Sequence, residues 1–587
     1  MPVADQVSFP PAVGEKSRRH QFRIACRACI LLIAACQLWA GRYVIDADGT
    51  AYVDVARAWL HGDWLHALNP YWSPLYIWLL SGAFAIFHPS IHWELPVIHL
   101  VAFLEFGAAF AAWEWLTAEW ERWQGPPVRP LLADITGYGV VLWAGLRLTQ
   151  LWWFSNADTL VMALTIAAAA ILIRVRRGTA RNRDFVLLGL ILGVGFLAKT
   201  AFAALIPVFL VVLAVLLRSW LNRRIVTAAL VTCAVALPFI AAISIANGRF
   251  TFGDSGRLNY SWHVTGISVE GYKESAYPPP PDIPHPIRVL MQHPRVLSFD
   301  QHAIGTYPIH TNPSWWCEGY PVRFDKARQL MILQSNILFS IYAFRCPALC
   351  LLLLGVAYGA SATVKRFAQA WFLWVPGLLF AAAYTPVYSD YRYLAGSYAL
   401  IGFALIAAAW KTQIPRRVAR ITIWAIPVLT FVFLMGSDFR HMPQQLILDT
   451  LGRKAPMGYE NLQVAETMHH EGLRPGDRVA YIGFELAAAH VGLERAHIVA
   501  VVPERVTHDD RIWGRPYVFT FPKADEFWRS SPQAKQRVFD AFRSVGAKWV
   551  FADTVPPWAD TAGWKIAGGS HEMPENYRPY TYFRKLQ

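Results

Sequence analysis

Residues 185–217 read FVLLGLILGVGFLAKTAFAALIPVFLVVLAVLL and contain one charged side chain, Lys199, between two apolar runs. Each run is close to the length at which an α-helix crosses a bilayer, about 17–25 residues. The stretch therefore predicts two membrane-spanning helices joined by a hairpin at Lys199. The rest of the chain has the same character, since 55% of its 587 residues are hydrophobic, 16% are charged and the mean hydropathy is +0.29. This composition excludes an ordinary soluble enzyme and indicates a polytopic membrane protein.

Apolar runs of spanning length predict about eleven transmembrane helices, near residues 24–41, 94–117, 132–152, 158–174, 185–199, 201–217, 225–245, 346–363, 368–385, 393–410 and 421–437. With a cytoplasmic amino terminus, every Lys/Arg cluster between the runs falls on the cytoplasmic side, as the positive-inside rule requires. These clusters account for much of the net charge of +14, so we expect no nucleic-acid partner. This alternation of cytoplasmic and outer loops requires that the stretch 71–87, which is barely long enough to span, does not cross the membrane. The apolar spacing of residues 52–60 predicts an amphipathic helix in the interface.

The predicted organisation is a cytoplasmic segment 1–23, a membrane domain 24–437 with outer loops 42–93 and 247–343, and an extracytoplasmic domain 438–587. In that last domain, strand-like runs at 478–483, 497–502 and 548–552 alternate with helix-like stretches at 461–472 and 535–545. The alternation favours a small α/β fold. The expected location is the bacterial inner membrane, with the carboxyl-terminal domain on the periplasmic side.

A group of residues just after the first predicted span has an informative order and spacing: Asp48, Tyr52, Ala56-Arg57, Gly62-Asp63-Trp64 and Pro74-Leu75. It resembles the first outer loop of the C-type (GT-C) glycosyltransferase superfamily, in particular bacterial aminoarabinose transferases and protein O-mannosyltransferases (glycosyltransferase family 39). In that family an Asp-Glu-x-x-Tyr motif follows the first span, and Ala-Arg, Gly-Asp-Trp and Lys-Pro-Pro-Leu come after it. The resemblance is strongest over residues 24–245.

The resemblance implies a GT-C fold and an inverting transfer of a sugar from a polyprenyl-phosphate donor to a glycan, lipid or protein acceptor at the membrane. It makes Asp48 the catalytic carboxylate. The chemistry is consistent with this, because a phosphate leaving group needs no proton and the enzyme must chiefly deprotonate the acceptor. The structural alternative is that Asp46 and Asp48 are solvated charges that cap the interfacial helix, with Asp48 or Thr50 as a suitable N-cap.

Further residues match the family's pattern at the outer ends of other spans. Asp158 occupies the position of a second acidic residue and would assist Asp48, although an Asp at a helix start also complements the helix dipole. Lys199 and the Arg392-Tyr393 pair match motifs suited to binding the lipid phosphate, as do Tyr52 and Arg57 in the first loop. For Lys199 and Arg392 the alternative is interfacial snorkelling.

Two departures from the family pattern concern metal binding: Gly49 replaces the Glu after Asp48, and Trp72-Ser73 replaces the Lys-Pro before Pro74. No compact His/Cys/Asp cluster with ligand spacing replaces them. We therefore assign no metal ligands and no certain cofactor. A divalent metal, which occurs in relatives, stays open, although the motif residues for it are missing.

Aromatic and polar residues of the second outer loop, His263, Trp315 and Glu318, are a possible acceptor surface. Glu105 lies within a predicted span and is a functional candidate because a membrane-buried carboxylate is costly, or it pairs structurally with Arg147. Two other functions stay open from the sequence: a transporter or lipid flippase, and a catalytically inactive GT-C-like scaffold.

Overall fold

The computed structural model describes residues 13–153, 155–267, 280–358, 360–411, 442–484, 488–503, 525–569 and 577–586, with isolated positions between 417 and 428 and at 486. The first helices are α1 (Val13–Ala40), α2 (Ala47–Leu60), α3 (Trp64–Ala67), α4 (Pro74–Phe87), α5 (Ile91–Gln124), α6 (Pro130–Leu142), α7 (Asp158–Arg176), α8 (Asn182–Ala198), α9 (Leu205–Leu217), α10 (Arg223–Ala246) and α11 (Ser255–Asn259). The next are α12 (Pro308–Thr311), α13 (Pro313–Trp316), α14 (Lys326–Tyr358), α15 (Ala360–Gln369), α16 (Trp371–Tyr384), α17 (Ala395–Ala409), α18 (Met442–Thr450), α19 (Tyr459–Glu471), α20 (Ala489–Leu493), α21 (Asp525–Arg529) and α22 (Pro532–Ser544). Short π or 3-10 segments occur at Trp143–Leu148, Thr200–Ala204, Tyr260–Thr265, Asp300–His302 and Arg392–Leu394.

Seven helical segments of the described chain are long and apolar enough to cross a membrane: Ser17–Ala40, Ile91–Gln124, Pro130–Leu148, Asp158–Arg176, Thr200–Leu217, Arg223–Ala246 and Arg392–Ala409. Every predicted span except 421–437 coincides with or overlaps a helix. The stretch 421–437 lies almost wholly outside the described residues, so the number eleven stays a prediction. The predicted class, a helical membrane protein with an α/β domain, is confirmed.

Close packing of α8 against α10 depends on two glycines one turn apart, Gly189 and Gly193. A Cβ on Gly189 would lie 2.5 Å from the carbonyl oxygen of Ala228, and a Cβ on Gly193 would lie 2.6 Å from the Cβ of Val235. Glycines at this spacing let two membrane helices approach until their backbones touch. Thr232 Oγ1 donates a hydrogen bond across the contact to the Gly189 carbonyl at 3.2 Å.

The helices of the first outer loop form a layer at one end of the bundle. α4 has 14 residues, which at 1.5 Å per residue is about 21 Å and shorter than the hydrocarbon core. The amphipathic helix predicted for residues 52–60 is part of α2, which buries Tyr52, Val55 and Ala56 against α4 and α5. Its polar face does not face solvent, since it packs against the second loop and the carboxyl-terminal domain.

A seven-stranded sheet lies at the same end, which we call the sheet end. Its strands are β1 (Arg288–Gln292), β2 (Arg295–Ser298), β3 (Arg478–Gly483), β4 (His497–Pro503), β5 (Trp549–Ala552), β6 (Lys565–Gly569) and β7 (Tyr580–Lys585), in the order β1-β2-β4-β3-β5-β7-β6. The parallel centre β4-β3-β5 is buried on both faces, which explains its continuous apolar runs. The strands and helices predicted from the tail's alternation are confirmed.

Strands β1 and β2 come from the loop 247–343 and pair with β4 of the tail, Leu297 opposite Val501. This pairing was not predicted, because the loop sequence showed no readable secondary structure. Further contacts tie the layers together: Asp54 Oδ2 accepts the Thr306 N–H at 2.6 Å, and Arg42 Nη1 donates to Asp449 Oδ2. The second loop and the tail therefore form one cap over α2.

The glycine contact between α8 and α10 can be tested by substitution. We expect Gly193→Leu to lower the melting temperature in detergent, because overpacking a close helix contact costs about 1–3 kcal/mol. Gly107→Leu is the matched control, since a Cβ at that membrane helix position meets nothing within 4 Å. Equal melting temperatures for the two variants would contradict the packing described here.

Candidate functional site

The start of α2 is capped by Asp46, not by Asp48 or Thr50. Asp46 Oδ1 accepts the backbone N–H of Gly49 at 3.0 Å and that of Ser155 at 3.3 Å. Thr50 uses its hydroxyl to donate to the Asp46 carbonyl oxygen at 3.0 Å. The capping alternative for Asp48 is therefore wrong, because the helix terminus has another partner.

The Asp48 carboxylate joins three segments that are far apart in sequence. Arg392 Nη2 donates to Asp48 Oδ2 at 2.7 Å, and His310 Nε2 lies 3.2 Å from Asp48 Oδ1. Arg392 precedes α17, and His310 belongs to α12 in the second loop. The sequence indicated a polar and aromatic surface in the second outer loop, but nothing in it indicated that His310 reaches Asp48.

Asp158 and Lys199 continue this cluster into the bundle. Lys199 Nζ donates to Asp158 Oδ1, and Asp158 Oδ2 lies 3.8 Å from Arg392 Nε. Lys199 Nζ also lies 3.8 Å from the ring centroid of Tyr393. Two carboxylates and two cations thus alternate from Asp48 through Arg392 and Asp158 to Lys199. The Asp158 side chain is 1% exposed and that of Asp48 is 25% exposed, so Asp48 is the carboxylate that a ligand can reach.

The two carboxyl groups at the start of α2 differ in their acidity. Burial opposes ionisation of Asp48, but the charge of Arg392 and the hydrogen bond from His310 hold its pKa well below the usual range. For Asp46, burial and the nearby negative charge of Asp48 raise the pKa to about 7. Asp48 therefore carries the negative charge at neutral pH, and Asp46 keeps much of its proton.

Two residues predicted to bind phosphate lie elsewhere. Arg57 donates to the Gly492 carbonyl oxygen at 2.8 Å and also pairs with Glu94, so it holds α20 against α2 and does not join the Asp48 cluster. Tyr52 is buried between Trp72 and Tyr76, with ring centroids 4.8 and 5.1 Å away. Tyr52 thus packs in the apolar layer beside the site.

The predicted acceptor surface is occupied by its own side chains. Trp315 stacks between His285 and His302, at 3.7 and 4.3 Å between ring centroids. Glu318 lies 3.1 Å from His285 Nε2, and His263 stacks on Tyr388 at 4.4 Å. Because both faces of Trp315 are covered, it has no free face for a sugar ring.

The departures from the family motif have structural reasons. Gly49 is buried, and a Cβ there would lie 2.8 Å from both Asp46 Oδ1 and Ile45 Cγ1, so this position has no room for a glutamate. Trp72 Nε1 lies 3.2 Å from the carbonyl oxygens of both His310 and Thr311. In this chain Trp72 holds the second loop next to the site.

The residues at Asp48 do not fit a divalent metal ion. Both oxygens of Asp48 face donor groups, Gly49 replaces a possible ligand, and a search of the described residues finds no group of three His, Cys, Asp or Glu suited to a metal. The charge next to Asp48 comes from a guanidinium, which repels a cation. We derive no step that uses a metal.

Glu105 is buried in α5, and neither of its carboxylate oxygens has a hydrogen-bond partner among the described residues. The predicted pairing with Arg147 is not observed. The Arg147 guanidinium lies 5.8 Å from the ring centroid of Tyr391 instead. The geometry assigns Glu105 no role in the cluster.

Comparison with known proteins finds solved structures that align over most of the chain. ArnT from Cupriavidus metallidurans bound to undecaprenyl phosphate aligns with 96% of this chain and 98% of its own, at 14% identity and a TM-score of 0.49. The same protein in the apo state gives 11% identity and a TM-score of 0.48, covering 95% of this chain and 97% of its own. The Archaeoglobus fulgidus oligosaccharyltransferase tethered to an acceptor peptide covers 90% of this chain and 69% of its own, at 11% identity and a TM-score of 0.43.

No family model matches the sequence, and neither does any curated protein.

The raised pKa of Asp46 predicts a pH-dependent stability. An unfolded Asp ionises near about 3.9, whereas folded Asp46 ionises at about 7. Between these two pH values the native state holds a proton that the unfolded state has lost. The contribution of Asp46 to the free energy of unfolding therefore falls as the pH rises from about 4 to about 7. Asp46→Asn keeps a helix cap and removes this titration. We therefore expect the melting temperature of the variant, relative to that of wild type, to be a few degrees higher at pH 8 than at pH 5. A constant difference between the two melting temperatures would contradict the assignment.

Proposed function

We propose that the protein is an inverting glycosyltransferase that moves a sugar from a polyprenyl-phosphate donor to an acceptor at the extracytoplasmic face of a bacterial inner membrane. The observation that carries the proposal is the alternating cluster of Asp48, Arg392, Asp158 and Lys199 at the sheet end of an apolar helical bundle. It places a reachable carboxylate beside two cations that lie at helix ends.

The orientation is supported by charge. Arg174, Arg176 and Arg177 lie at the end of α7 opposite to Asp158, and the Lys/Arg clusters near residues 218–224 and 411–420 are predicted on that same side. Because cytoplasmic loops carry the excess of Lys and Arg, the end with the Asp48 cluster faces away from the cytoplasm. A lipid-linked donor suits that location, since its isoprenoid tail stays between helices while its head reaches the cluster.

Lys199 and Arg392 are proposed to hold the donor phosphate. Both cations already contact carboxylates, which orients them at the end of the bundle. Two buried polar atoms next to Asp158 and Tyr393 have no hydrogen-bond partner among the described residues, and a polar head group could satisfy them: Asn156 Nδ2 and the Tyr384 hydroxyl. Tyr393 forms an aromatic wall next to Lys199.

The proposed reaction is a single displacement. The acceptor oxygen attacks the anomeric carbon, and the bond from that carbon to the phosphate oxygen breaks with its electron pair leaving on the polyprenyl phosphate. Asp48 is either the general base or the carboxylate that orients the acceptor and its base, while Lys199 and Arg392 stabilise the leaving phosphate. Asp158 is buried and occupied by Lys199, so it assists by positioning the cations. Within the four-residue cluster, Asp48 is the one carboxylate that a ligand can reach, which favours a single displacement with inversion.

Loss of the Asp48 carboxylate is the first test. We expect Asp48→Asn to reduce transfer at least about 100-fold, a typical contribution of acid–base catalysis. Purified protein is given radiolabelled undecaprenyl-phosphate hexoses and pentoses with envelope membrane extract, and labelled acceptor is counted. Asp540→Asn, on the surface of α22 far from the cluster, is the matched control. A variant as active as wild type would refute the Asp48 assignment, and a wild-type protein inactive with every donor would favour a transporter or an inactive scaffold.

The phosphate assignment makes a separate prediction for Lys199. We expect Lys199→Met to raise the KM for the lipid-linked donor about tenfold or more, because the variant keeps the apolar stem and loses the charge. The apparent affinity for the acceptor should change little. An unchanged donor KM with reduced kcat would contradict a role in phosphate binding.

A further inference from the structure

His310 is the one neighbour of Asp48 that combines a carboxylate contact with an open ring nitrogen. Its Nε2 faces Asp48 Oδ1 at 3.2 Å, and its Nδ1 makes no hydrogen bond in the described part of the chain. The side chain is 28% exposed. A neutral imidazole that donates its Nε2 proton to a carboxylate presents Nδ1 as an acceptor.

A narrow cleft, with room for little more than one water-sized group, leads to this histidine. It lies between α2, the second loop and the carboxyl-terminal domain, and the residues that line it include Thr50, Asp54, Thr306, His310, Leu486 and Ala489. No lysine or arginine is among its lining residues. The cleft therefore suits an uncharged polar group better than an anion.

His310 is also held firmly. The indole N–H of Trp72 donates to the backbone carbonyl oxygens of His310 and Thr311. Asn69 Nδ2 also donates to the Thr311 carbonyl oxygen, at 2.8 Å. Asp54 accepts the Thr311 hydroxyl at 3.1 Å. Such anchoring fixes a catalytic side chain before the substrate binds.

We infer that His310 is the base that removes the proton from the acceptor, that Asp48 holds and stabilises this histidine, and that the acceptor is an uncharged hydroxyl group entering through the cleft. This inference rests on the proposed glycosyltransferase function. In the step, the acceptor oxygen forms a bond to the anomeric carbon, its proton passes to His310 Nδ1, and the polyprenyl phosphate leaves with the electrons of the broken bond. The imidazolium is then stabilised by the Asp48 carboxylate.

Two arguments favour a histidine base over direct proton transfer to Asp48. A carboxylate that pairs with Arg392 and accepts from His310 is a weak base, in agreement with the low pKa of Asp48, and the cleft opens on His310. The need for a base also identifies the acceptor. A phosphate acceptor is already ionised near neutral pH, whereas an alcohol must lose its proton as it attacks.

The test compares wild type, His310→Gln and His310→Gly, using the labelled undecaprenyl-phosphate donors and envelope extract. We expect both variants to lose transfer about 100-fold or more at unchanged donor KM, and added imidazole to restore at least about tenfold to His310→Gly alone. His293→Gln is the matched control, because His293 lies exposed in the turn between β1 and β2. Rescue is measured within one preparation, so it does not depend on equal folding of the variants.

The outcomes separate the two proposals. A wild type inactive with all donors overturns the glycosyltransferase function itself. An active wild type with His310→Gln within twofold of it, or His310→Gly without imidazole rescue, overturns only the role of His310. The labelled product of an alcohol acceptor should survive mild acid that cleaves glycosyl phosphates, and an acid-labile product overturns the hydroxyl assignment.

Discussion

The ion pair between Asp48 and Arg392 is the interaction on which the site depends. It joins the first turn of α2 to the start of the helical segment Arg392–Ala409 at the sheet end of the bundle. A buried charge is tolerated only with a partner, so each of these side chains fixes where the other one lies. Lys199 and Asp158 form a second ion pair deeper in the bundle. In the four side chains together, each charge has a partner of opposite sign where little water is present.

The cap encloses this charged cluster at the sheet end of the apolar bundle. The second loop and the tail build that enclosure jointly: β1 and β2 add to the sheet of the tail, and Asp54 fixes Thr306 next to α2. The only side chain that the cap contributes directly to Asp48 is His310, among the residues described. The surroundings of Asp48 are therefore divided between the membrane bundle and its cap.

Local sequence patterns predicted much of this structure. They could not predict the contacts between segments that are distant in the sequence. Apolar runs and charge clusters indicated the spans, and the motif spacing selected Asp48, Asp158, Lys199 and Arg392, which the fold brings together. His310 could not be found, since its partner is 262 positions away and its neighbours are aromatic residues typical of any interface. Arg57 fitted the motif equally well, yet the structure pairs it with Glu94 and α20. Arg57 follows Asp48 by nine positions in α2, so the two side chains lie on opposite faces of the helix.

The two departures in the first loop have a common physical meaning. Gly49 leaves no space for a second acidic side chain next to Asp48, and Trp72 contributes an indole that holds the backbone of His310 where a lysine would have placed a charge. The change removes one carboxylate and one cation and brings in an imidazole. In the inferred reaction that imidazole, held by the Asp48 carboxylate, takes the acceptor's proton.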